Sequence, residues 1–425
     1  MLETIKNAWR VVDLRKKILF TLFIILIFRI GSVIPVPFVD PAALNDTGST
    51  ASVMTFLSTL TGGALDYGTI FALGVTPYIN SSIILQLLTV AIPYLERLSK
   101  EGEEGRKKIA QITRYTTVIL GLLQGTAFFI YLMNSGMLTV KATGAKWFAG
   151  FVVVLTLTAG SALVMWLGEQ IDEKGVGNGI SMLLFAGILS RAPQAFTALV
   201  GWWKAQNQIA VIAIVIVFLL VIAFIVWMSN AERRLPVQYA KRVVGRKMYG
   251  GQSTHIPIKV NMSGVMPIIF ASSILMLPPM ILSFWPESDH WFHKILELFS
   301  VQGPMYAIIY FALIIAFAYF YVTIQYNPVE MANNLRKNSG SIPGIRPGKP
   351  TSDFIQKVIS RITLIGALLL SVIAVGPIIF GLINQVFASV SIGGTSVIII
   401  VGVALEIVNN LESQMMMRHY KGFLD

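Results

Sequence analysis

The sequence has no cysteine, few histidines and little charge. Among its 425 residues there are 4 His and no Cys, and only 13% are Asp, Glu, Lys or Arg, whereas 55% are hydrophobic. The absence of cysteine excludes disulfides and thiolate metal sites, and the four histidines follow no metal-ligand spacing. A chain this apolar, with a mean hydropathy of +0.71, is not a soluble domain, and we expect a polytopic membrane protein.

Motifs of nucleotide-dependent enzymes are also missing. Residues 175–181 lack the spacing of a dinucleotide fingerprint, and Gly348-Lys349 has no glycine five residues before Gly348, so neither predicts a phosphate loop. We expect no enzyme activity, no cofactor and no metal, with energy supplied from outside the chain. An ion-coupled carrier would be expected to hold titratable groups at mid-membrane depth, and the clear candidates are Arg29 and Glu406.

Ten long runs with few charges predict ten membrane-spanning helices. The runs are 18–37, 73–95, 115–137, 147–168, 177–200, 208–229, 262–284, 304–325, 361–382 and 394–412. The last two belong to one uncharged stretch of 44 residues, 362–405, which would measure about 66 Å as a single helix. Because one span does not need that length, we place a short outer loop at Asn384-Gln385 and Gly393-Gly394.

The basic residues indicate the orientation of the chain. With alternate segments on opposite sides, 27 of the 33 Lys and Arg lie on the side of the amino terminus, five lie on the other side and Arg29 lies in the first span. The positive-inside rule then predicts that both termini are cytosolic. The halves 1–200 and 201–425 have five spans each and start on opposite sides, so any repeat between them is inverted.

A short segment before the second predicted span indicates a pore. Residues 67–95 have no charged side chain and are long enough to cross about 30 Å of hydrocarbon. Residues 54–65 would form about three helical turns, too few to span a bilayer. A half-length helix beside a full span is typical of a re-entrant element, which is tolerated where its backbone is buried in protein or lines a water-filled cavity.

Three stretches within the spans combine glycine, proline and small polar residues with branched aliphatic ones. They are GVTPYINSS (74–82), GVMPIIFASS (264–273) and VGPIIF (375–380). One interpretation is ordinary helix packing, because small residues let transmembrane helices approach and proline kinks are tolerated there. The other is that these helices separate and close again, with aliphatic side chains meeting at a constriction.

Seven stretches, in order along essentially the whole chain, resemble the SecY family, the central subunits of protein-conducting channels. They are FRIGSVIPVP (28–37), GGALDYGTIFALGVTPYINSSIILQLLT (62–89), KEGEEGRKKIAQITRY (100–115), MWLGEQIDEKGVGNGIS (165–181), YAKRVVGRKMYGGQSTHIPIKVNMSGVMPIIFASS (239–273), NPVEMANNLRKNSGSIPGIRPGKPT (327–351) and GGTS (393–396). The resemblance implies an all-α membrane protein with ten transmembrane helices in two inverted five-helix halves around a central pore, with a short plug helix.

The resemblance also implies a passive channel of the bacterial cytoplasmic membrane. Such a channel passes unfolded secretory proteins across the membrane and releases membrane-protein segments sideways into lipid. The number of spans and the possible inverted repeat leave a secondary transporter of a small solute as an alternative, and an inert membrane scaffold as a weaker one. Sparse charge within the spans argues against the transporter, and the half-length helix argues against the scaffold.

The resemblance assigns roles to particular residues. The plug, about 55–67, is expected to include Thr55, Phe56, Leu57, Leu60, Gly62, Gly63, Leu65 and Tyr67. The pore ring is expected at Val75, Ile79, Ile180, Leu184, Ile269 and Ile399, and the lateral gate is expected to use Asn80, Gln86, Gln124 and Ser273. The spacing of four within the pairs Val75/Ile79 and Ile180/Leu184 places each pair on one helix face, as it also would in a packed core.

Two long basic loops are predicted to dock cytosolic partners. They are 230–260 and 326–357, and the candidate docking residues are Arg242, Arg246, Lys247, Arg336, Lys337, Arg346 and Lys349. Arg346 lies between Pro343-Gly344 and Pro347-Gly348, and arginine on a stiffened tip suits phosphate or carboxylate. In the family these loops receive the ribosome or the SecA ATPase. The other partners that the resemblance implies are SecE, SecG, signal sequences, nascent secretory chains and membrane lipids.

Overall fold

The computed structural model describes residues 6, 8–41, 44, 58, 61–140, 143–204, 208–239, 242–244, 247–249, 253–278, 303–383 and 393–421. The helices within them are α1 (Val12–Gly31), α2 (Thr76–Ala91), α3 (Pro93–Lys100), α4 (Glu103–Asn134), α5 (Thr143–Lys174), α6 (Gly179–Leu189), α7 (Ala192–Lys204), α8 (Gln208–Asn230), α9 (Met266–Leu275), α10 (Pro304–Gln325), α11 (Pro328–Lys337), α12 (Lys349–Ile383) and α13 (Gly393–Lys421). The strands are β1 (Glu232–Tyr239), β2 (Arg242–Val244), β3 (Lys247–Tyr249), β4 (Ser253–Lys259) and β5 (Gly340–Ser341).

Several of these helices can span a membrane. Seven helical segments in the described part of the chain are long and apolar enough, and α2 with α3 makes an eighth if the bent pair is counted as one span. Helix α9 is apolar but has 10 residues, about half of what a span needs. The chain is therefore a multi-pass membrane protein, while the count of ten spans stays a prediction. Of the loop predicted at Asn384-Gln385 and Gly393-Gly394, the first pair lies outside the described residues, and the second begins α13 instead of forming a turn.

Helix α2 is shorter than the span predicted at 73–95. Pro77 lies in its first turn, where the missing N–H of proline is tolerated, and the helix ends at Ala91. Ile92 is extended (φ −106°, ψ 114°), because a residue that precedes proline is driven away from the helical region. The chain bends by 101° at this point into the amphipathic helix α3.

Contacts between distant residues define the two ends of the helix bundle. At the end where α1 begins, Lys17 Nζ donates to Gln414 Oε1 at 3.3 Å, and Thr21 Oγ1 accepts from the N–H of Val176 at 3.1 Å. We call this the near end. We call the opposite end, where α1 and α6 finish, the far end.

The main hydrophobic core draws residues from nine of the described helices, α1, α2, α5, α6, α8, α9, α10, α12 and α13. Helix α4 packs beside it on α2 and α5. Helices from the first 200 residues meet later ones where α2 packs on α9 and α6 packs on α13. The largest fully buried side chain in this core is that of Tyr310, at 1% exposure. These contacts are compatible with a division at residue 200, which stays a prediction.

From Thr61 onward the predicted plug segment is not helical, whereas Ser58, the described residue before it, has a helical conformation. Residues 61–75 form consecutive turns at the far end, and Thr69 pairs with Pro35 as an isolated β-bridge. Gly62 (φ 68°) and Gly74 (φ 53°) have left-handed backbone conformations, which interrupt a right-handed helix and favour glycine. The predicted plug residues Thr55, Phe56, Leu57 and Leu60 lie outside the described residues.

The two predicted docking loops are folded together, and the expectation of an all-α protein missed their strands. Strands β1 and β4 form an antiparallel pair from Glu232↔Lys259 to Gln238↔Ser253. Strand β5, from the second loop, joins β1 through Gln238↔Ser341. The region 326–357 also includes α11 and the first turns of α12. A separate hydrophobic cluster lies under this sheet and includes Leu235, Val237, Ile258, Ile342, Ile355 and Ile359. We call the sheet with α11 and its connecting turns the loop unit.

Gly160 lets α5 approach the turns of residues 61–75 closely. A Cβ added at Gly160 would lie 2.0 Å from the carbonyl oxygen of Ile70, a backbone atom that yields only if the turns move. We expect Gly160→Ala to destabilise the protein by about 1–3 kcal/mol, the typical cost of overpacking. A clear fall in the melting temperature of the detergent-purified protein tests this.

Gly201 provides the matched control for this substitution. It lies in α7, and a Cβ there would meet nothing within 4 Å. Alanine is the better helix former by about 1 kcal/mol, so Gly201→Ala should leave the melting temperature unchanged or raise it slightly. Equal effects of the two substitutions would contradict the close approach at Gly160.

Candidate functional site

The six residues predicted to form a ring come from four helices that share the main core. The side chains of Val75, Ile79, Leu184, Ile269 and Ile399 are all buried, and Ile180 is half-buried against the same cluster. These side chains would be buried both in a closed apolar neck and in an ordinary packed core. Their assignment as a ring therefore stays a prediction.

Ile180 is the member of this set whose surroundings differ. A Cβ added at Gly168 of α5 would lie 2.7 Å from Ile180 Cδ1, so the Ile180 side chain fills the space beside that glycine. A Cβ at Gly179 would lie 1.9 Å from the carbonyl oxygen of Gly168. These two glycines let α6 begin directly against α5, and Ile180 packs into that junction.

Helix α6 begins at a corner fixed by two capping hydrogen bonds. Asn178 Oδ1 accepts from the N–H of Ser181 at 3.1 Å, and Asp172 Oδ1 accepts from the N–H of Gly179 at 2.7 Å. Both acceptors satisfy N–H groups of the first turn, which have no partner within the helix. The glycine-rich stretch 175–181 is therefore a helix–helix corner that orients Ile180 and Leu184.

Helices α2 and α9 begin with the same local structure. Each follows the pattern Gly-Val-x-Pro, with a left-handed glycine, Gly74 (φ 53°) or Gly264 (φ 62°). The next residue is the N-cap, Val75 (φ −89°, ψ −1°) or Val265 (φ −92°, ψ −12°), and proline lies in the first turn.

This repeat gives Ile79 and Ile269 equivalent positions, five residues after their glycines. The two helices pack on each other, and both isoleucines belong to the main core. The shared Gly-Val-x-Pro pattern is visible in the sequence, and it is the internal repeat signal that sequence reasoning missed.

The predicted lateral-gate residues lie on three helices, and three of the four are buried. Asn80, Gln124 and Ser273 are 4–6% exposed, whereas Gln86 is half-buried and its Nε2 donates to Ser82 Oγ at 3.5 Å. Asn80 and Ser273 belong to α2 and α9, which are in contact. Their role at a gate stays a prediction.

Gln124 has a different environment from the other three. It lies between Gly121 and Gly125, the glycines at which α4 approaches Ser161 and Thr158 of α5. Its helix packs on α2, α3 and α5. About three turns earlier in α4, the carbonyl oxygen of Thr113 accepts from Ser81 Oγ at 2.9 Å, which ties α2 to α4.

Polar side chains at the far end hold the turns that lead into α2. The carbonyl oxygen of Gly62 accepts from Ser190 Oγ at 3.3 Å and from Arg29 Nη1 at 3.4 Å. Arg191 Nη2 donates to Ser58 Oγ at 2.8 Å and forms an ion pair with Asp66. Sequence reasoning assigned no role to Ser190 or Arg191. The available signal was a basic residue on the sparsely charged side of the chain, at the end of a span.

Four of the predicted docking residues are exposed in and beside the loop unit. Arg336, Lys337, Arg346 and Lys349 are all exposed. The carbonyl oxygen of Arg346 accepts from Thr351 Oγ1 at 2.8 Å, which fixes the backbone of the tip. Arg242 and Lys247 lie on β2 and β3, and Arg246 lies outside the described residues.

Glu406 lies at a cavity of about 370 Å³ among α8, α12, α13 and the segment 259–265 that precedes α9. Its other polar lining includes Lys259, Asn261, Asn409 and Ser413. The cavity includes residues 409 and 413 of α13, close to Gln414 at the near end. The cavity thus places Glu406 beside polar residues toward the near end of α13.

Comparisons with known proteins agree on one family. The SecY family model matches residues 69–408. Among curated relatives, protein translocase subunit SecY of Streptomyces scabiei is 45% identical and that of Halalkalibacterium halodurans is 42% identical, each over the full length of both chains. The alternative of a secondary transporter finds no support among these matches.

Solved structures share the fold at low identity. A protein-conducting channel matches with a TM-score of 0.66 at 19% identity, and a SecY structure whose plug domain stabilises the closed state matches with a TM-score of 0.64 at 19% identity. Sec61 in a canine ribosome-channel complex from the endoplasmic reticulum matches with a TM-score of 0.62 at 18% identity. Each covers 94% of this chain and 92% of the other.

With the family match over most of its length, close relatives over all of it and a shared channel fold, the chain belongs to the SecY family of protein translocase subunits.

Proposed function

We propose that this chain forms a gated path for unfolded proteins, closed by aliphatic side chains of α2, α6, α9 and α13. The observation that supports this best is the matched start of α2 and α9, with Ile79 and Ile269 at equivalent positions in one apolar cluster. An apolar neck offers a hydrated ion nothing to replace its water. Its dispersion contacts are weak, about 0.1–0.2 kcal/mol per atom pair, so the neck yields to a passing chain. Ion conductance of variants with polar residues at the neck tests this.

Residues 55–67 act as the plug, and the turns up to residue 75 connect them to α2. Ala64 (0%) and Leu65 (5%) are buried, and Gly62 is hydrogen-bonded at the far end of α1 and α6. The segment joins α2 directly, so its displacement is coupled to movement of that helix. A segment held by a few polar contacts and apolar packing is removable without unfolding the bundle.

The contact between α2 and α9 is the lateral gate. Separation of these helices would open the path to lipid and release an apolar segment of the passing chain. The polar residues Asn80 and Ser273 weaken the apolar seam between them, because buried polar side chains lower the gain from burial unless they find partners.

Partner proteins supply the energy and complete the complex. SecE and SecG accompany this subunit in the membrane, and the SecA ATPase or the ribosome docks on the loop unit. The exposed Arg336, Lys337, Arg346 and Lys349 support this docking. Ribosome-bound channels among the structural neighbours, including a yeast Ssh1 complex on the 80S ribosome, support the ribosome as one partner. The phosphates of ribosomal RNA would attract these basic side chains electrostatically.

The chain lies in the bacterial cytoplasmic membrane with its near end, loop unit and both termini in the cytosol. The distribution of Lys and Arg supports this orientation. Since the chain has no cysteine, single cysteines at Ser49, Gly250 and Ser339 can be probed with a membrane-impermeant thiol reagent in intact cells. We expect labelling at position 49 alone. Labelling of position 250 or 339 in intact cells would overturn the orientation, and lysed cells provide the control for reactivity.

A further inference from the structure

The far end of α6 provides a rigid platform for one arginine. The N–H of Arg191 donates to the carbonyl oxygen of Ile188 at 3.1 Å, and the carbonyl oxygen of Arg191 accepts from the N–H of Ala195 at 3.0 Å. Arg191 is therefore fixed by its backbone where α6 ends and α7 begins. A positive charge just beyond the end of α6 is also favoured by the negative pole of the helix dipole.

The Arg191 guanidinium contacts Ser58 and the turns that begin at Thr61. Nη2 donates to Ser58 Oγ at 2.8 Å and forms an ion pair with Asp66. Between these points the chain is closed on itself, since the N–H of Gly63 donates to the carbonyl oxygen of Ser58 at 2.8 Å. One side chain thus contacts Ser58, where this loop begins, and Asp66, which follows the residue that closes it.

The same loop packs too tightly on α6 to shift while these contacts persist. A Cβ at Gly62 would lie 2.6 Å from the carbonyl oxygen of Gly187 and 2.8 Å from Ser190 Oγ. Ser190 Oγ is also within hydrogen-bond distance of the Gly62 carbonyl oxygen. Removal of the loop therefore requires the Arg191 contacts and the hydrogen bonds of the Gly62 carbonyl oxygen with Ser190 and Arg29 to break together.

We propose that Arg191 is a gating residue, whose contacts with Asp66 and Ser58 hold the plug segment on α6 and set how readily the channel opens. This inference rests on the proposed function, in which residues 58–67 belong to the plug. The same helix contributes Ile180 and Leu184 to the predicted ring, so the ion pair connects the plug to one wall of the neck. A stronger contact makes the channel more selective, because a signal sequence must supply more free energy to open it.

Neutral variants distinguish the contribution of the ion pair from that of the side-chain packing around it. Arg191→Gln and Asp66→Asn keep much of the side-chain volume and remove one charge, and the charge-reversed double variant Arg191→Asp with Asp66→Arg restores the pair in the opposite sense. The two side chains are 23% and 31% exposed, so the remaining charge of each single variant stays hydrated. Arg114→Gln is the matched control, because it breaks the Arg114–Glu169 ion pair (2.8 Å) between α4 and α5.

Hydrogen–deuterium exchange of residues 58–69 in the purified complex measures the contact without relying on transport. We expect exchange in this segment to rise about tenfold in Arg191→Gln and in Asp66→Asn, the size of effect typical of a lost charge-assisted hydrogen bond. We expect near-parental exchange in the charge-reversed variant and in Arg114→Gln. Unchanged exchange in both neutral variants would overturn the proposal.

Ion conductance and passage of a precursor with a defective signal sequence measure gating. Both should increase in the neutral variants and return toward the parental level in the charge-reversed variant. Faster exchange without any increase in conductance would also overturn the proposal, since the contact would then hold the segment without gating the channel. Translocation of a normal precursor by the parental complex tests the proposed function separately.

Discussion

Replacing Ile269 and Ile399 together with asparagine is expected to make the reconstituted channel leak ions in the absence of a translocating chain. Both side chains are buried in the main core, at 6% and 2% exposure. A buried amide without partners costs about 1–3 kcal/mol, and water entering the neck removes that cost. The closed, dry state is therefore destabilised relative to a hydrated one. We expect conductance in planar bilayers to rise about tenfold or more, since each 1.4 kcal/mol corresponds to a factor of ten.

Two control substitutions separate a neck from an ordinary core. Ile314→Asn places the same amide in the same cluster on α10, at a position of 0% exposure, and should lower stability without conductance. Leu219→Asn on α8, at 59% exposure, should leave the seal intact. A folded Ile269→Asn, Ile399→Asn double variant that stays sealed would contradict the ring. An ion leak of equal size from the Ile314→Asn variant would also contradict the ring.

Reversing the charge of Arg346 is expected to block partner-driven translocation while assembly of the complex remains normal. Arg346 is exposed at the tip of the loop unit, and its backbone is held by Thr351 Oγ1 at 2.8 Å. The left-handed Gly344 (φ 79°) and Gly348 (φ 105°) bound the tip. A pre-organised arginine loses little entropy when it binds a carboxylate or phosphate, and glutamate at this place replaces attraction with repulsion. We expect translocation of a secretory precursor to fall about tenfold to a hundredfold.

Arg106→Glu is the matched control for this reversal. Arg106 is exposed on α4, on the basic side of the chain. The substitution Arg106→Glu changes the net charge by the same amount as Arg346→Glu. It should have a small effect, because an exposed charge away from a docking contact is screened by salt. Binding of SecA and of ribosomes to the purified Arg346→Glu complex identifies the lost partner. Unchanged binding of both, with a parental rate of translocation, would rule out the docking role.

Much of the helical architecture was predictable, because spans follow from hydrophobic length and charge. Residues 208–229 were predicted as a span and α8 covers Gln208–Asn230, and residues 304–325 match α10 at both boundaries. The ends of other spans were less predictable. The span 73–95 missed the break at Ile92, since the chain there remains apolar and only Pro93 signals the bend.

The loop unit was not predictable from the same reasoning. Its strands alternate exposed and buried residues over a short range, and its stability depends on pairing between β1 and β5, which are about 100 residues apart. Hydropathy measured over a span-length window does not detect such a unit. The basic composition indicated only that these residues are exposed.

The contacts of Arg191 could not be predicted from the sequence, for a different reason. Asp66 and Arg191 are 125 residues apart, and nothing local to either residue indicates the other. By contrast, the two Gly-Val-x-Pro stretches at Gly74 and Gly264 were singled out in the sequence but not interpreted as a repeat, because only four positions define it. Its meaning becomes clear when the matching backbone conformations are compared.

Crosslinking of a chain in transit tests most directly whether unfolded proteins pass between α2, α6, α9 and α13. A photoreactive amino acid is placed at Ile269, and a secretory precursor is stalled midway through the channel by a folded domain at its carboxyl terminus. The account predicts a crosslink between position 269 and the stalled precursor that disappears when the precursor is released, and none from position 219 on the exposed face of α8. A stalled precursor that crosslinks at 219 and not at 269 would contradict the account.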